Sequence, residues 1–143
     1  MVTEFVSKSF EDTVKFAKEF AGSLKPGDIV LLDGDLGAGK TVFSKGVVSA
    51  LSNNSIVAVS PTFVLVNVYD TNPKVYHFDL YRIEDQSELD AIGAEEYFFG
   101  DGISLVEWPS RVEGFFPASS IKVNIKKLSD NERLITVERR VNE

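Results

Sequence analysis

Eight consecutive residues, Gly34-Asp35-Leu36-Gly37-Ala38-Gly39-Lys40-Thr41, match the pattern G-x-x-x-x-G-K-[ST] in full. Glycine at these spacings permits positive φ and close approach, so successive backbone N–H groups can turn inward around phosphate oxygens. In such a loop the lysine, here Lys40, meets the β- and γ-phosphates as a point charge, and the hydroxyl of Thr41 ligates Mg²⁺. The N-terminus of a following helix adds its positive dipole end. With Gly near 7% of residues, chance matches in a chain this size are on the order of one in a few hundred. The chemistry to expect is binding of ATP with Mg²⁺.

Phosphate chemistry also needs acids. Two apolar segments end in one: Val75-Tyr76-His77-Phe78-Asp79 and Ile103-Ser104-Leu105-Val106-Glu107. Ligands of open α/β sheets sit beyond the carboxyl ends of the strands. A carboxylate there can hold Mg²⁺ or a ligand water, or orient an attacking water. A lone strand-end acid is ordinarily a solvated charge, but two of them after a complete P-loop shift the reading. Asp79 is the Walker B candidate and Glu107 a second functional acid; which of them touches the metal is open. Thr62, in Ser60-Pro61-Thr62-Phe63, lies in the interval where switch-type NTPases place a threonine that senses the γ-phosphate. By sequence alone the segment is a turn. His77 should point opposite to Tyr76 and Phe78, as a packed or hydrogen-bonded structural residue. Trp108 reads as a partly buried wall of the site, with stacking on nucleotide the lesser alternative.

Positioning these groups requires a strand before the loop and a helix after it. Ile29 to Asp33 is a continuous apolar run, the mark of a strand buried on both faces, and Lys40 to Leu51 continues as a helix. Upstream, Ser9 to Leu24 reads as an amphipathic helix with Ser9 as N-cap and an apolar face of Val14, Phe16, Ala17, Phe20, Ala21 and Leu24. Lys25 to Asp28 is a turn. Phe63 to Tyr69 and Val75 to Asp79 suggest a hairpin around Asp70-Thr71-Asn72-Pro73. Ser87 to Phe99 should be helical in two pieces broken at Gly93. Ile103 to Glu107 is another buried strand, and Ile121 to Ile125 with Leu134 to Arg139 look like a closing pair. The expected fold class is α/β: a single P-loop NTPase-like domain over residues 1–143, with a mixed central β-sheet flanked by helices. Strand order is not legible at this level.

Composition narrows the partners. The 143 residues carry a net charge of −7, and so acidic a surface disfavours independent binding to a phosphate backbone. With no cysteine and one histidine, disulfides, thiolate zinc and multi-histidine metal sites drop out, leaving oxygen-ligand metals such as Mg²⁺. The N-terminal residues hold no apolar run of signal-peptide length and no segment is long enough to span a membrane, so a cytoplasmic location is expected.

Taken together, Gly34 to Thr41, Ser60 to Phe63, His77-Phe78-Asp79-Leu80-Tyr81-Arg82 and Val106-Glu107-Trp108-Pro109 resemble the TsaE family, formerly YjeE, in order and spacing. The resemblance spans about residues 9 to 139, and an ordinary P-loop protein shares only the first of these motifs. It implies a cytoplasmic ATPase of tRNA threonylcarbamoyladenosine biosynthesis that assists TsaB and TsaD, with tRNA reached only through them. It further implies that Thr41 and Glu107 contribute to the Mg²⁺ site, that Asp79 is the Walker B aspartate, and that Thr62 is the switch threonine. Phe10 and Thr13 fall in the family's Ser-x-Glu-Glu-Thr region, close to the nucleotide base. Asp12 replaces the usual second glutamate there, and Val42 stands where a second threonine is common.

A small-molecule kinase using the same P-loop is the rival from another class. It would need an acceptor pocket and usually an arginine-bearing lid, and only Arg82 and Arg111 lie centrally here. A GTPase switch is weaker, because no Asn-Lys-x-Asp motif follows the P-loop. A nucleotide-sensing assembly protein with incidental hydrolysis is compatible with the TsaE resemblance.

Overall fold

The apolar run Ile29–Asp33 is buried because it lies at the centre of a seven-stranded sheet in the order β1-β7-β6-β2-β5-β4-β3. The structure, a computed structural model, describes residues 1–35, 37–56, 58, 65–112 and 114–139. Its strands are β1 (Val2–Ser7), β2 (Ile29–Asp33), β3 (Val66–Tyr69), β4 (Val75–Asp79), β5 (Ile103–Glu107), β6 (Ile121–Lys127) and β7 (Arg133–Glu138). The helices are α1 (Phe10–Ala21), α2 (Lys40–Leu51), α3 (Gln86–Ala91) and α4 (Ala94–Phe98), with a 3₁₀ turn at Pro109–Val112. Strands β6, β2, β5 and β4 run parallel. Antiparallel pairs β3–β4, β6–β7 and β7–β1 extend the two sides. This is the mixed α/β sheet that the hydrophobic pattern led us to expect.

Two apolar clusters sit on the two faces. On one, α1 and α2 cover Val30, Leu32, Leu105, Val123, Ile125 and Ile135. On the other, α3 and α4 cover Phe78, Val106 and Ile29 with Leu89 and Phe98. Neighbours along a strand point to opposite faces, so this division sets where every strand-borne group goes. Helices α1 and α2 cross closely because Gly46 has no side chain. A Cβ there would lie 2.6 Å from Ala17 Cβ and 3.0 Å from Val14 O.

Helix α1 begins as its cap predicts: Ser9 Oγ accepts from Asp12 N at 3.0 Å, an interaction worth about 1 kcal/mol. Asp85 caps α3 in the same way within a full capping box, and left-handed Gly93 (φ 69°) separates α3 from α4. Strand β1 was absent from the sequence expectation. Its residues are exposed apart from Phe5 and Ser7, so it carries little apolar signal and forms by pairing with β7. Helix and strand ends differ from expectation by a few residues: α1 stops at Ala21, and the last two strands are Ile121–Lys127 and Arg133–Glu138. The expected strand start at Phe63 lies outside the described residues; β3 is seen from Val66. Among the described residues no helix is long and apolar enough to cross a membrane.

Candidate functional site

The loop after β2 is built largely from backbone. Gly34, Gly37 and Gly39 have φ of 148°, 79° and 112°, all in the region that favours glycine. At Gly34 the requirement is doubled, because an added Cβ would sit 2.5 Å from Ile125 O on β6. Gly39 is the N-cap of α2 and carries no side-chain cap, which leaves the first amides of the helix free to face an anion. Ala38 is buried beneath the loop. Asp35 and Gly37 are exposed at its rim, and Leu36 lies outside the described residues.

Lys40 is the first residue of α2 and is only 5% exposed. Its Nζ donates to Gly34 O and more weakly to Asp35 O (3.5 Å), and lies 3.5 Å from the centre of the Trp108 ring. Burial pushes the ammonium below the ordinary lysine range, against the opposing pull of Glu107, Asp33, Asp79 and Asp35. A single cation facing four acids across a glycine loop is arranged to hold phosphates and a counter-cation together.

The acids come from the parallel register. Asp79 and Glu107 are direct partners on β4 and β5, and Leu32 of β2 pairs with Glu107, so the three strands end together at the loop. Both carboxylates are buried, Asp79 6% and Glu107 3% exposed, which removes the reading of solvated strand-end charges. Thr41 Oγ1 donates toward Glu107 at 3.3 Å to Oε1 and 3.4 Å to Oε2. Asp79 Oδ1 accepts from Tyr81 N at 2.9 Å, which turns the chain after β4. Thr41, Glu107 and Asp79 offer hard oxygen donors at one end of the sheet, a set suited to Mg²⁺. Among the described residues no group of three His, Cys, Asp or Glu side chains could hold a metal by itself.

Trp108 follows Glu107 in a left-handed conformation (φ 60°), unusual for a bulky residue. Its indole is half-buried, meets Tyr81 at 4.9 Å between ring centres and carries Lys40 on its face. The wall expected from sequence is therefore in contact with the P-loop lysine itself.

A cavity of about 140 Å³ opens beside the loop, lined in part by Phe10, Thr13, Ala38, Gly39 and Val42. The structure thus brings Phe10, Thr13 and Val42 to the P-loop from α1 and α2. Thr13 is buried and shares a hydrogen bond with Ser7 Oγ at 2.7 Å, while Phe10 is exposed at the lip. Thr62 lies outside the described residues. Sequence reasoning missed the far wall of this cavity, formed by Asp130 and Asn131 of the β6–β7 turn and by Arg133 at the start of β7. Arg133 Nε donates to Ala38 O at 2.9 Å, and Nη1 holds the carbonyls of Ser129, Asp130 and Glu132. No spacing rule links residues 95 positions apart, so only the fold could reveal that contact. A larger groove of about 670 Å³ is lined by Asp33 at the end of β2 together with Phe116, Lys122 and Thr136, but by none of Lys40, Thr41, Asp79 and Glu107.

The model of the family "Threonylcarbamoyl adenosine biosynthesis protein TsaE" matches residues 7–135 of this chain. This chain belongs to the TsaE family. It is 45% identical over 127 residues to the tRNA threonylcarbamoyladenosine biosynthesis protein TsaE of Bacillus subtilis, covering 88% of this chain and 78% of that protein. It is 39% identical over 136 residues to TsaE of Rickettsia bellii, covering 94% of each. Among solved structures it is similar to the crystal structure of Bacillus subtilis YdiB, with a TM-score of 0.82 and 36% identity, covering 97% of this chain and 86% of that one. These similarities support the TsaE reading and not the small-molecule kinase.

Proposed function

We propose that the chain is a cytoplasmic P-loop ATPase, one domain over residues 1–143, acting with TsaB and TsaD in threonylcarbamoyl modification of tRNA. The observation that carries the nucleotide part is convergence: Lys40 and Thr41, adjacent at the head of α2, both face the buried acids at the ends of β4 and β5. Membership of a family of tRNA threonylcarbamoyladenosine biosynthesis proteins supports the biological part.

In this reading Thr41 and Glu107 would hold Mg²⁺, with Asp79 beside them as the residue that would order a water. When bound, Mg²⁺ supplies neutralisation of charge on the phosphates. Lys40 exchanges Gly34 O and the Trp108 face for phosphate oxygens, and the loop amides and α2 N-terminus share the load. The base lies toward the cavity of Phe10, Thr13 and Val42. Hydrolysis by the isolated chain is slow. Arg133, the arginine tied to the loop, commits Nε and Nη1 to backbone carbonyls, so recruiting it to a transition state would cost those bonds.

With a net charge of −7, the surface suits a protein partner better than bare tRNA, so tRNA is reached through TsaB and TsaD. Nucleotide state and partner affinity are then coupled reciprocally. The test is the amount of threonylcarbamoyladenosine formed per TsaD with wild-type or Lys40→Ala protein added. Multiple turnovers with wild type alone are expected. Equal turnovers with Lys40→Ala would remove ATP use from the chain's contribution.

A further inference from the structure

His77 is the only histidine in the chain, and it is fully buried. It pairs with Leu105 in the β4–β5 register while Asp79 pairs with Glu107, so His77 and Glu107 are diagonal neighbours on one face of the sheet. Diagonal neighbours are within reach of long side chains, and His77 Nε2 lies 2.6 Å from Glu107 Oε2. The same carboxylate faces Thr41 Oγ1.

We propose that His77 is the positioning residue of this site: its Nε2–H donates to Glu107 Oε2 and fixes the rotamer in which that carboxylate meets Thr41 and a divalent cation. The proposal rests on the reading of Glu107 as a metal-holding residue. His77 Nδ1 is buried and has no hydrogen-bond partner among the described residues. With Nε2–H donating to the carboxylate, Nδ1 is left as an acceptor that no described donor faces. Two other roles fit less well. Direct ligation of a cation held by Glu107 is not open to Nε2, which is committed to that carboxylate, and the Nδ1 lone pair diverges from it across the ring. Action as a water-activating base would need solvent access, and the ring has none. What remains is orientation. A glutamate left without its donor can adopt several rotamers, of which only some face Thr41, and the cation must then select among them.

The account makes the effect specific to metal. The full-length chain saturated with ADP is titrated with Mn²⁺, followed by electron paramagnetic resonance, and ADP affinity is measured separately by calorimetry in EDTA. In His77→Leu the Mn²⁺ dissociation constant should rise about tenfold to a hundredfold, with ADP affinity in EDTA close to wild type. His77→Gln, whose amide can donate from nearly the same place, should restore most of the loss. A folded His77→Leu protein that binds Mn²⁺ like wild type, or a His77→Gln protein as weak as His77→Leu, overturns the proposal. Glu107→Gln separates the two layers: if it too binds Mn²⁺ like wild type, the metal reading itself is at fault. Should His77→Leu not fold, ring ¹⁵N resonances of the wild-type histidine decide, since only one histidine contributes. A ring protonated at Nε2 whose signals move when Mg²⁺ joins the ADP complex is expected. A ring protonated at Nδ1, or one indifferent to Mg²⁺, contradicts it.

Discussion

The two halves of the site are built differently. The proposed phosphate cradle, Gly34 to Thr41, is one continuous stretch of sequence, and its described residues are shaped by its own glycines and by the helix it starts. The acid half draws Asp79, His77 and Glu107 from strands that meet only because β4 and β5 pair in one register. A contiguous half carries its meaning in local sequence, whereas an assembled half acquires it from topology. The proposed division of labour follows: the loop takes the nucleotide and the assembled acids take the metal.

The sharpest break in this comparison is Lys40→Ala. Losing a charged partner of the phosphates should weaken ATP binding by about a hundredfold or more, with circular dichroism unchanged. Glu107→Gln comes next. It should raise the Mg²⁺ needed for hydrolysis by about tenfold to a hundredfold, whereas Asp79→Asn should slow turnover with a smaller change in Mg²⁺ requirement. Titrating Mg²⁺ against the rate in both variants measures the difference.

A third expectation concerns pH. Because burial lowers the Lys40 pKa, its charged form costs the fold stability below that pKa, and the cost fades as pH rises through it toward the ordinary lysine value. Phosphate binding needs the charged form, so ATP affinity should fall over the same rise, before the ordinary lysine range is reached. In Lys40→Arg, which stays charged, whatever affinity remains should be flat across that window. The smallest effect is spectroscopic. Trp108, the only tryptophan, carries Lys40 on its ring, so ATP should change its fluorescence as the lysine moves to phosphate. Lys40→Ala should suppress that change.

The same contrast explains what could be read in advance. Strand β2, helix α2 and the loop between them have the limits expected from sequence, because each is marked locally by an apolar run, glycines and a helix start. Strands β4 and β5 were also legible as runs ending in acids. Their neighbourhood was not, since nothing in a single chain says which strands pair. His77 was expected to be a packed or hydrogen-bonded structural residue. The partner it finds, Glu107, depends on that pairing, and so does the contact of Arg133 with Ala38 O. Strand β1 stayed hidden for another reason: an exposed edge strand has almost no buried face to leave a pattern.

The most direct measurement is ATP affinity with and without Mg²⁺ in wild type, Lys40→Ala and Glu107→Gln, by calorimetry on the same preparations. The account predicts that Lys40→Ala loses binding under both conditions. Glu107→Gln should bind ATP in EDTA at least as tightly as wild type, because a negative charge near the phosphates is gone, yet gain little when Mg²⁺ is added. A Glu107→Gln protein whose ATP binding is strengthened by Mg²⁺ as much as that of wild type would contradict the division between loop and acids.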